Sequence, residues 1–402
     1  MASHWPIGNR TRRTLCLSLI LAAALAVPGT GIAEPPQPGD TYKVELDKLP
    51  KLGQTPSVSL PSETVVRPPD HVLSVPSGYK IELLTDALPR PRNLLALPDG
   101  GIAIALSETG EIAIWQHGKL RHFADGFLIP YGLAFHDNAI WVADLEAVWK
   151  MDWQPEATMM RTRTQVTPTG ALSNSVGHIT RSLAFAPDGK HFYVGVGSST
   201  NLAIEAPPRA TILEFSANGL DSRVFASGMR NPVGIAWDPD GKFLWAVVNE
   251  RDHQGDEMVP DYLTHVTGDG FYGWPYAWLG PHPQPGFADR APDLVTRTIA
   301  PDLLFKAHSA PLGLTFWHGD AFVALHGSWN RSHPQGYFVA RIPFAKGRPV
   351  GGYQAFATGF VLEEKQGQAQ VWGRPVGLAV GTDDALYICD DVGGTLWRVT
   401  RQ

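Results

Sequence analysis

Residues 228–252 read GMRNPVGIAWDPDGKFLWAVVNERD. A basic, amide-bearing loop, Arg230-Asn231-Pro232, leads into the apolar strand Val233–Trp237. The turn Asp238-Pro239-Asp240-Gly241 reverses the chain into a second strand, Phe243–Val248, which opens into Asn249-Glu250-Arg251-Asp252. The start of the first strand and the end of the second lie at one end of such a hairpin, so both polar groups gather there. Loops held on a rigid sheet are where function concentrates.

The same phrase recurs along the chain. It is found at Asn93-Leu94-Leu95-Ala96-Leu97, Tyr131-Gly132-Leu133-Ala134-Phe135 and Arg181-Ser182-Leu183-Ala184-Phe185. It returns at Val233–Trp237, Leu312-Gly313-Leu314-Thr315-Phe316 and Val376-Gly377-Leu378-Ala379-Val380. Turns such as Pro98-Asp99-Gly100 and Pro187-Asp188-Gly189 follow, and Asp-Gly between alternating apolar runs is a strong hairpin signal. Copies lie about 40 residues or more apart, enough for one four-stranded blade each. The expectation is an all-β, six-bladed β-propeller over 77–402, with small residues where inner strands crowd the axis. The longest gaps predict insertions at 269–307 and 347–372.

Ahead of the repeats, Arg10, Arg12 and Arg13 precede the apolar run Leu15 to Val27 and a small-residue site, Gly31-Ile32-Ala33. This is the pattern of a cleaved export signal over 1–33, its apolar run short of the about 20 residues a membrane span requires. The mature protein is therefore expected to be periplasmic or secreted and not integral to the membrane. Residues 34–76, rich in Pro, Ser and Thr, predict a linker or surface strap. Of the two cysteines, Cys16 leaves with the signal, so Cys389 has no partner for an internal disulfide. A net charge of −6 without a basic stripe excludes a nucleic-acid partner.

The loops entering the inner strands carry Arg92-Asn93, Gly177-His178-Ile179-Thr180-Arg181, Arg230-Asn231, His308-Ser309 and Gly373-Arg374. On a propeller these loops reach one mouth. Guanidiniums at Arg92, Arg181, Arg230, Arg331 and Arg374 would repel one another there unless an anion lay between them, and arginine forks match a planar polycarboxylate. Walker, His-Glu-x-x-His and Gly-x-Ser-x-Gly motifs are absent from the sequence.

The runs GHITRSLAFAPDG (177–189), MRNPVGIAW (229–237), GFYGWPY (270–276), HSAPLGLTF (308–316), ALHGSWNR (324–331) and GRPVGLAV (373–380) resemble the glucose/sorbosone dehydrogenase family. The resemblance implies an exported quinoprotein using pyrroloquinoline quinone and calcium to oxidise an aldose, a sorbosone-like aldehyde or a related sugar, with an external electron acceptor. It implies His178 as general base, fitting an imidazole neutral at neutral pH, and Arg230 and Asn231 as holders of the quinone. Arg374 matches a further quinone contact. Where relatives carry a second arginine this chain has Val376, so that contact is either missing or supplied by Arg331 or His326, and their lysine has no counterpart in His326–Arg331. Trp329 is expected to stack on the ligand, and Glu250, Arg251 and Asp252 occupy the calcium position. A calcium-dependent lactonase or a non-catalytic sugar-binding propeller are the competing readings.

Overall fold

The computed structural model describes residues 35–155, 159–173 and 177–402, so the export signal expected over 1–33 lies outside the described residues. The chain is almost entirely β. Among the described residues, six antiparallel-based sheets of four or five strands follow one another in sequence, accompanied by smaller two- and three-stranded pieces. Their first strands are Pro91–Ala96, Gly132–His136, Arg181–Phe185, Pro232–Trp237, Pro311–Trp317 and Pro375–Val380, one on each recurring phrase.

The opening stretch folds as its turn chemistry dictates. Pro232–Trp237 pairs antiparallel with Leu244–Val248. Between them Gly241 takes a φ of +66° and the Asp238 carboxylate accepts from the Lys242 amide at 2.7 Å. Asp and Gly stabilise such a reversal by side-chain bonding and by access to positive φ.

Packing joins the sheets in a closed cycle. Leu97, Ile112 and Phe123 of the first sheet pack on Leu133, Ile140 and Val142 of the second. Equivalent apolar clusters join second to third, third to fourth, fourth to fifth and fifth to sixth. The last one returns Ala379, Tyr387 and Leu396 of the sixth sheet onto Leu94, Ile102 and Ile104 of the first. The sixth sheet is itself built from both ends of the repeat region, with Tyr79–Thr85 paired to the C-terminal strand Thr395–Arg401.

Glycines permit the close approach of the first strands. A side chain at Gly132 would strike the Arg181 carbonyl, at Gly234 the Leu312 carbonyl, and at Gly313 the Val376 carbonyl. At the centre Tyr131, Val233, Leu312 and Val376 form a small buried cluster. Val376, the residue this chain has where the resemblance places a second arginine, is fully buried in that apolar cluster.

Residues 35–76 lie along the outside of this array. Thr41–Tyr42 adds to the fifth sheet, and Glu63–Thr64 pairs with Gln368–Val371. Between them the Gly53 amide donates to Gln254 O at 2.7 Å and the Leu60 amide to Trp329 O at 2.7 Å. The 269–307 insertion holds a one-turn helix, Pro292–Thr296, and short strands.

Candidate functional site

Every hairpin brings the start of its first strand beside the end of its second. The residues around Arg92, Tyr131, His178, Arg230, His308 and Arg374 therefore share one end of the sheets with those after Leu106, Val196, Val248, Leu325 and Asp390. At that end a cavity of about 170 Å³ is lined by residues that include His178, Arg230, Asn231, Glu250, Asp252, His308, Trp329 and Asn330. Seven of these eight positions, all but Asn330, were singled out from sequence, and they meet at one place.

His178 enters on the loop before the third sheet. Its Nδ1 lies 2.8 Å from Ser198 O and 3.1 Å from Ser198 Oγ. A carbonyl can only accept, so Nδ1 carries the hydrogen and the neutral ring keeps its lone pair on Nε2. Burial, then the nearby Arg230 charge, lowers the imidazolium to about 4. The ring is consequently neutral at pH 7 and basic at Nε2. Gly197 is required beside it, because a side chain there would collide with His178 and with Asn231 Oδ1.

Arg230, 5% exposed, is fixed on all sides. It donates from Nη1 to Glu250 O at 2.7 Å, from Nη2 to Asp252 Oδ2 at 2.8 Å and Asn201 Oδ1 at 3.0 Å, and from Nε to Asn201 O at 3.2 Å. Asn330 bridges Asp252 Oδ1 at 2.8 Å and His308 Nδ1 at 3.2 Å, while His308 donates from Nε2 to Gly255 O at 3.0 Å. Trp329 is 38% exposed at the rim, with the His253 ring edge-on at 5.7 Å.

Other arginines are placed differently from the expectation of an uncompensated ring. Arg181 is fully buried and donates to the carbonyls of Leu172, Ser173, His178 and Thr180. Arg331 faces Asp256 O, Ala307 O and the Glu257 carboxylate, and His326 donates to Asp391 at 2.8 Å, so both side chains already have partners of their own. Arg374 reaches His326 O and Gly327 O, and Arg92 pairs with Asp391. Each guanidinium is hydrogen-bonded to the chain's own oxygens, Arg181 and Arg374 to carbonyls and Arg92, Arg230 and Arg331 to a carboxylate. Arg230 is the arginine of the five that lines the cavity.

In the stretch expected to hold a metal, most side-chain polar atoms already have partners. Arg251 is fully buried and donates to Glu250 Oε2, Gln284 Oε1 and Ala277 O. Both Asp252 carboxylate oxygens are taken by Arg230 and Asn330. Among the described residues no group of three or more His, Cys, Asp or Glu side chains is arranged to hold a metal ion. Three buried side-chain oxygens of residues that line the cavity have no hydrogen-bond partner among the described residues: Asn231 Oδ1, Glu250 Oε1 and Asn330 Oδ1. Buried acceptors left unpaired are costly, and hard cations seek oxygen donors of this kind.

Sequence reasoning missed Asn201, Ser198, Asn330 and Asp261. Asp261 is buried in the cavity floor, accepts from the amides of Glu250 at 2.8 Å and Ala310 at 2.9 Å, and is pushed up to about 7 by burial. Asn330 was visible in the polar HGSWNR run; Asn201 sits in an irregular loop that carries no pattern.

A family model described as TrAA12-like matches residues 73–260 and 286–402. An uncharacterized protein of Borreliella burgdorferi is 27% identical over 347 residues, covering 81% of this chain and 90% of its own. A pyrroloquinoline quinone-dependent pyranose dehydrogenase of Coprinopsis cinerea is 24% identical, and the match covers 83% of this chain but 55% of that longer protein. The holo form of the PQQ domain of the Coprinopsis cinerea pyranose dehydrogenase superposes with a TM-score of 0.71 at 22% identity. That match covers 85% of this chain and all of that domain, a shared fold.

Proposed function

The chain belongs to the TrAA12-like family, and from that premise we propose that it is a quinoprotein sugar dehydrogenase, built as a six-bladed β-propeller whose blades are the six sheets. Its substrate is an aldose or related sugar, its cofactors are pyrroloquinoline quinone and calcium, and an external acceptor removes the electrons. The leader pattern supports export, and residues 34–76 act as a strap on the catalytic domain over 77–402.

One observation carries the reading above the others. A neutral histidine, its Nδ1–H held by Ser198 O at 2.8 Å, lines the same small cavity as a buried, fully anchored arginine. When bound, the quinone supplies the acceptor for the two electrons that leave the sugar. His178 Nε2 takes the proton of the sugar hydroxyl, which raises the electron density on the carbon that gives up hydride. Arg230 and the Asn231 amide stabilise negative charge beside it, and they do so without reorganising, because Asn201, Glu250 O and Asp252 already fix the guanidinium. Trp329 covers the rim with an aromatic face suited to a flat ring.

The donor set fits the cation as well. Asn231 Oδ1, Glu250 Oε1 and Asn330 Oδ1, unpaired among the described residues, are the oxygens that would hold calcium, a Lewis acid beside the quinone. The test is reconstitution of the purified chain with quinone and calcium, followed by dye reduction across a broad panel of sugars. Quenching of protein fluorescence on quinone titration and turnover with at least one aldose are expected. Absence of both would end the reading.

A further inference from the structure

Residues 53–60 of the strap cross two of the loops that build the cavity at His178. The Gly53 amide donates to Gln254 O, in the loop after Leu244–Val248, and the Leu60 amide donates to Trp329 O, in the loop after Asp320–Leu325, each at 2.7 Å. Asp252, Trp329 and Asn330 of these loops line the cavity. Both loops are irregular, so their position depends on bonds made to other segments instead of on a strand ladder.

Each end of the crossing is anchored to the body of the fold. Ahead of it, Leu49 and Leu52 pack against the apolar cluster that contains Met258 and Tyr262. Behind it, Pro61 O accepts from Gln368 Nε2 at 2.7 Å, and Glu63–Thr64 pairs with Gln370 and Val371. Between the anchors the fit is close: a side chain at Gly255, whose φ is +113°, would strike Thr55 O and Oγ1. The Gly255 carbonyl in turn accepts from His308 Nε2 at 3.0 Å. Arg331 also ties the two loops together, through Asp256 O and the Glu257 carboxylate. The Trp329 carbonyl lies outside that bridge, and the strap holds it.

We propose that the strap is a positioning element of the site and that Leu60 is a positioning residue, its amide fixing the Trp329 backbone so that the indole stays at the rim where it covers a bound quinone. The proposal rests on the quinoprotein reading for the identity of that ligand, but the fastening of the loop can be measured without one.

In the experiment, the full chain is compared as wild type, as Leu60→Pro, which deletes the amide hydrogen, and as Leu60→Ala, which trims the side chain and keeps that hydrogen. In hydrogen–deuterium exchange without ligand, peptides covering 326–332 are expected to exchange about fivefold faster in Leu60→Pro, the effect of one neutral hydrogen bond, with the hairpin 132–143 unchanged. On titration with pyrroloquinoline quinone and calcium, followed by quenching of protein fluorescence, Leu60→Pro is expected to bind about fivefold more weakly. At saturating quinone and sugar its kcat should stay within about twofold, because the loss falls on binding and not on proton transfer at His178. Leu60→Ala should follow the wild type within about twofold throughout.

Equal exchange in Leu60→Pro and wild type would overturn the proposal. So would faster exchange with undiminished quinone affinity, or a Leu60→Ala chain that behaves like Leu60→Pro, which would reduce Leu60 to a packing residue. Should Leu60→Pro show no cooperative unfolding, the comparison is made on a chain with a protease site inserted after the exposed Ser57, before and after cutting. Unchanged exchange and affinity on cutting would likewise overturn it. Faster exchange at 326–332 in Leu60→Pro, with no quinone bound by any form of the chain, would support the fastening of Trp329 and refute the quinoprotein reading alone.

Discussion

His178 and Ser198 are joined through an Nδ1–H to carbonyl bond of 2.8 Å that decides the tautomer of the ring. Burial and Arg230 hold the imidazolium near 4, against an ordinary value of 6.5. The base is therefore in working form at and below neutral pH. With a reactive sugar, kcat/KM is expected to stay level from about pH 7 to about pH 5 and to fall with unit slope around about pH 4. An inflection near 6.5 would count against the assignment. His178→Gln should lower kcat by about 10² to 10⁴, the range for a lost general base, with quinone affinity little changed.

Arg230 and Asp252 form a pair only slightly open to solvent. Removing one member leaves the other charge poorly compensated, so Arg230→Met and Asp252→Ala should each cost about 3 kcal/mol in denaturant-monitored stability. The double variant should cost less than their sum by about 1 kcal/mol or more. Strict additivity would show that the pair is not coupled. Both single variants should also weaken quinone binding, Asp252→Ala because the guanidinium loses its anchor.

Asp391 ties the sixth sheet to the first and fifth. Burial alone would raise its carboxyl, but His326, Arg92 and Arg374 hold it well below the usual carboxylate range. A folded-state value below the unfolded one contributes stability that is present above about pH 4 and is lost as pH falls further. The stability difference between wild type and Asp391→Asn should be largest at neutral pH and shrink below about pH 4. A difference that grew on acidification would refute this. His326, lowered to about 4 by burial and Arg374, is neutral at pH 7, which leaves Arg92 as the main cation at the bridge.

The C-terminal strand Thr395–Arg401 lies between Leu386–Asp390 and Tyr79–Thr85, and Trp397 within it is fully buried. Deleting residues 395–402 would leave both neighbours with bare edges and open the clusters joining the sixth sheet to the fifth and first. Loss of a cooperative unfolding transition is the expected outcome. A truncated chain with an unchanged midpoint would show that closure of the sheet cycle contributes nothing.

The architecture was largely written in local chemistry. Six recurring phrases, five of them apolar-Ala-apolar and three followed by Asp-Gly turns, Gly241 among them, became six first strands because alternation and positive-φ turns act over a few residues and tolerate little else. The same locality put His178, Arg230, Asn231, His308 and Trp329 at one end, since a hairpin places its loops by strand direction alone. The fate of each charge could not be read this way. Whether Arg181 faces a cavity or four carbonyls, whether Asp252 meets a metal ion or Arg230, and which atom of His178 keeps its lone pair all depend on how loops pack against one another. The oxygens involved belong to backbone and side chains whose positions exist only once the six sheets have packed, so the tertiary structure alone assigned them.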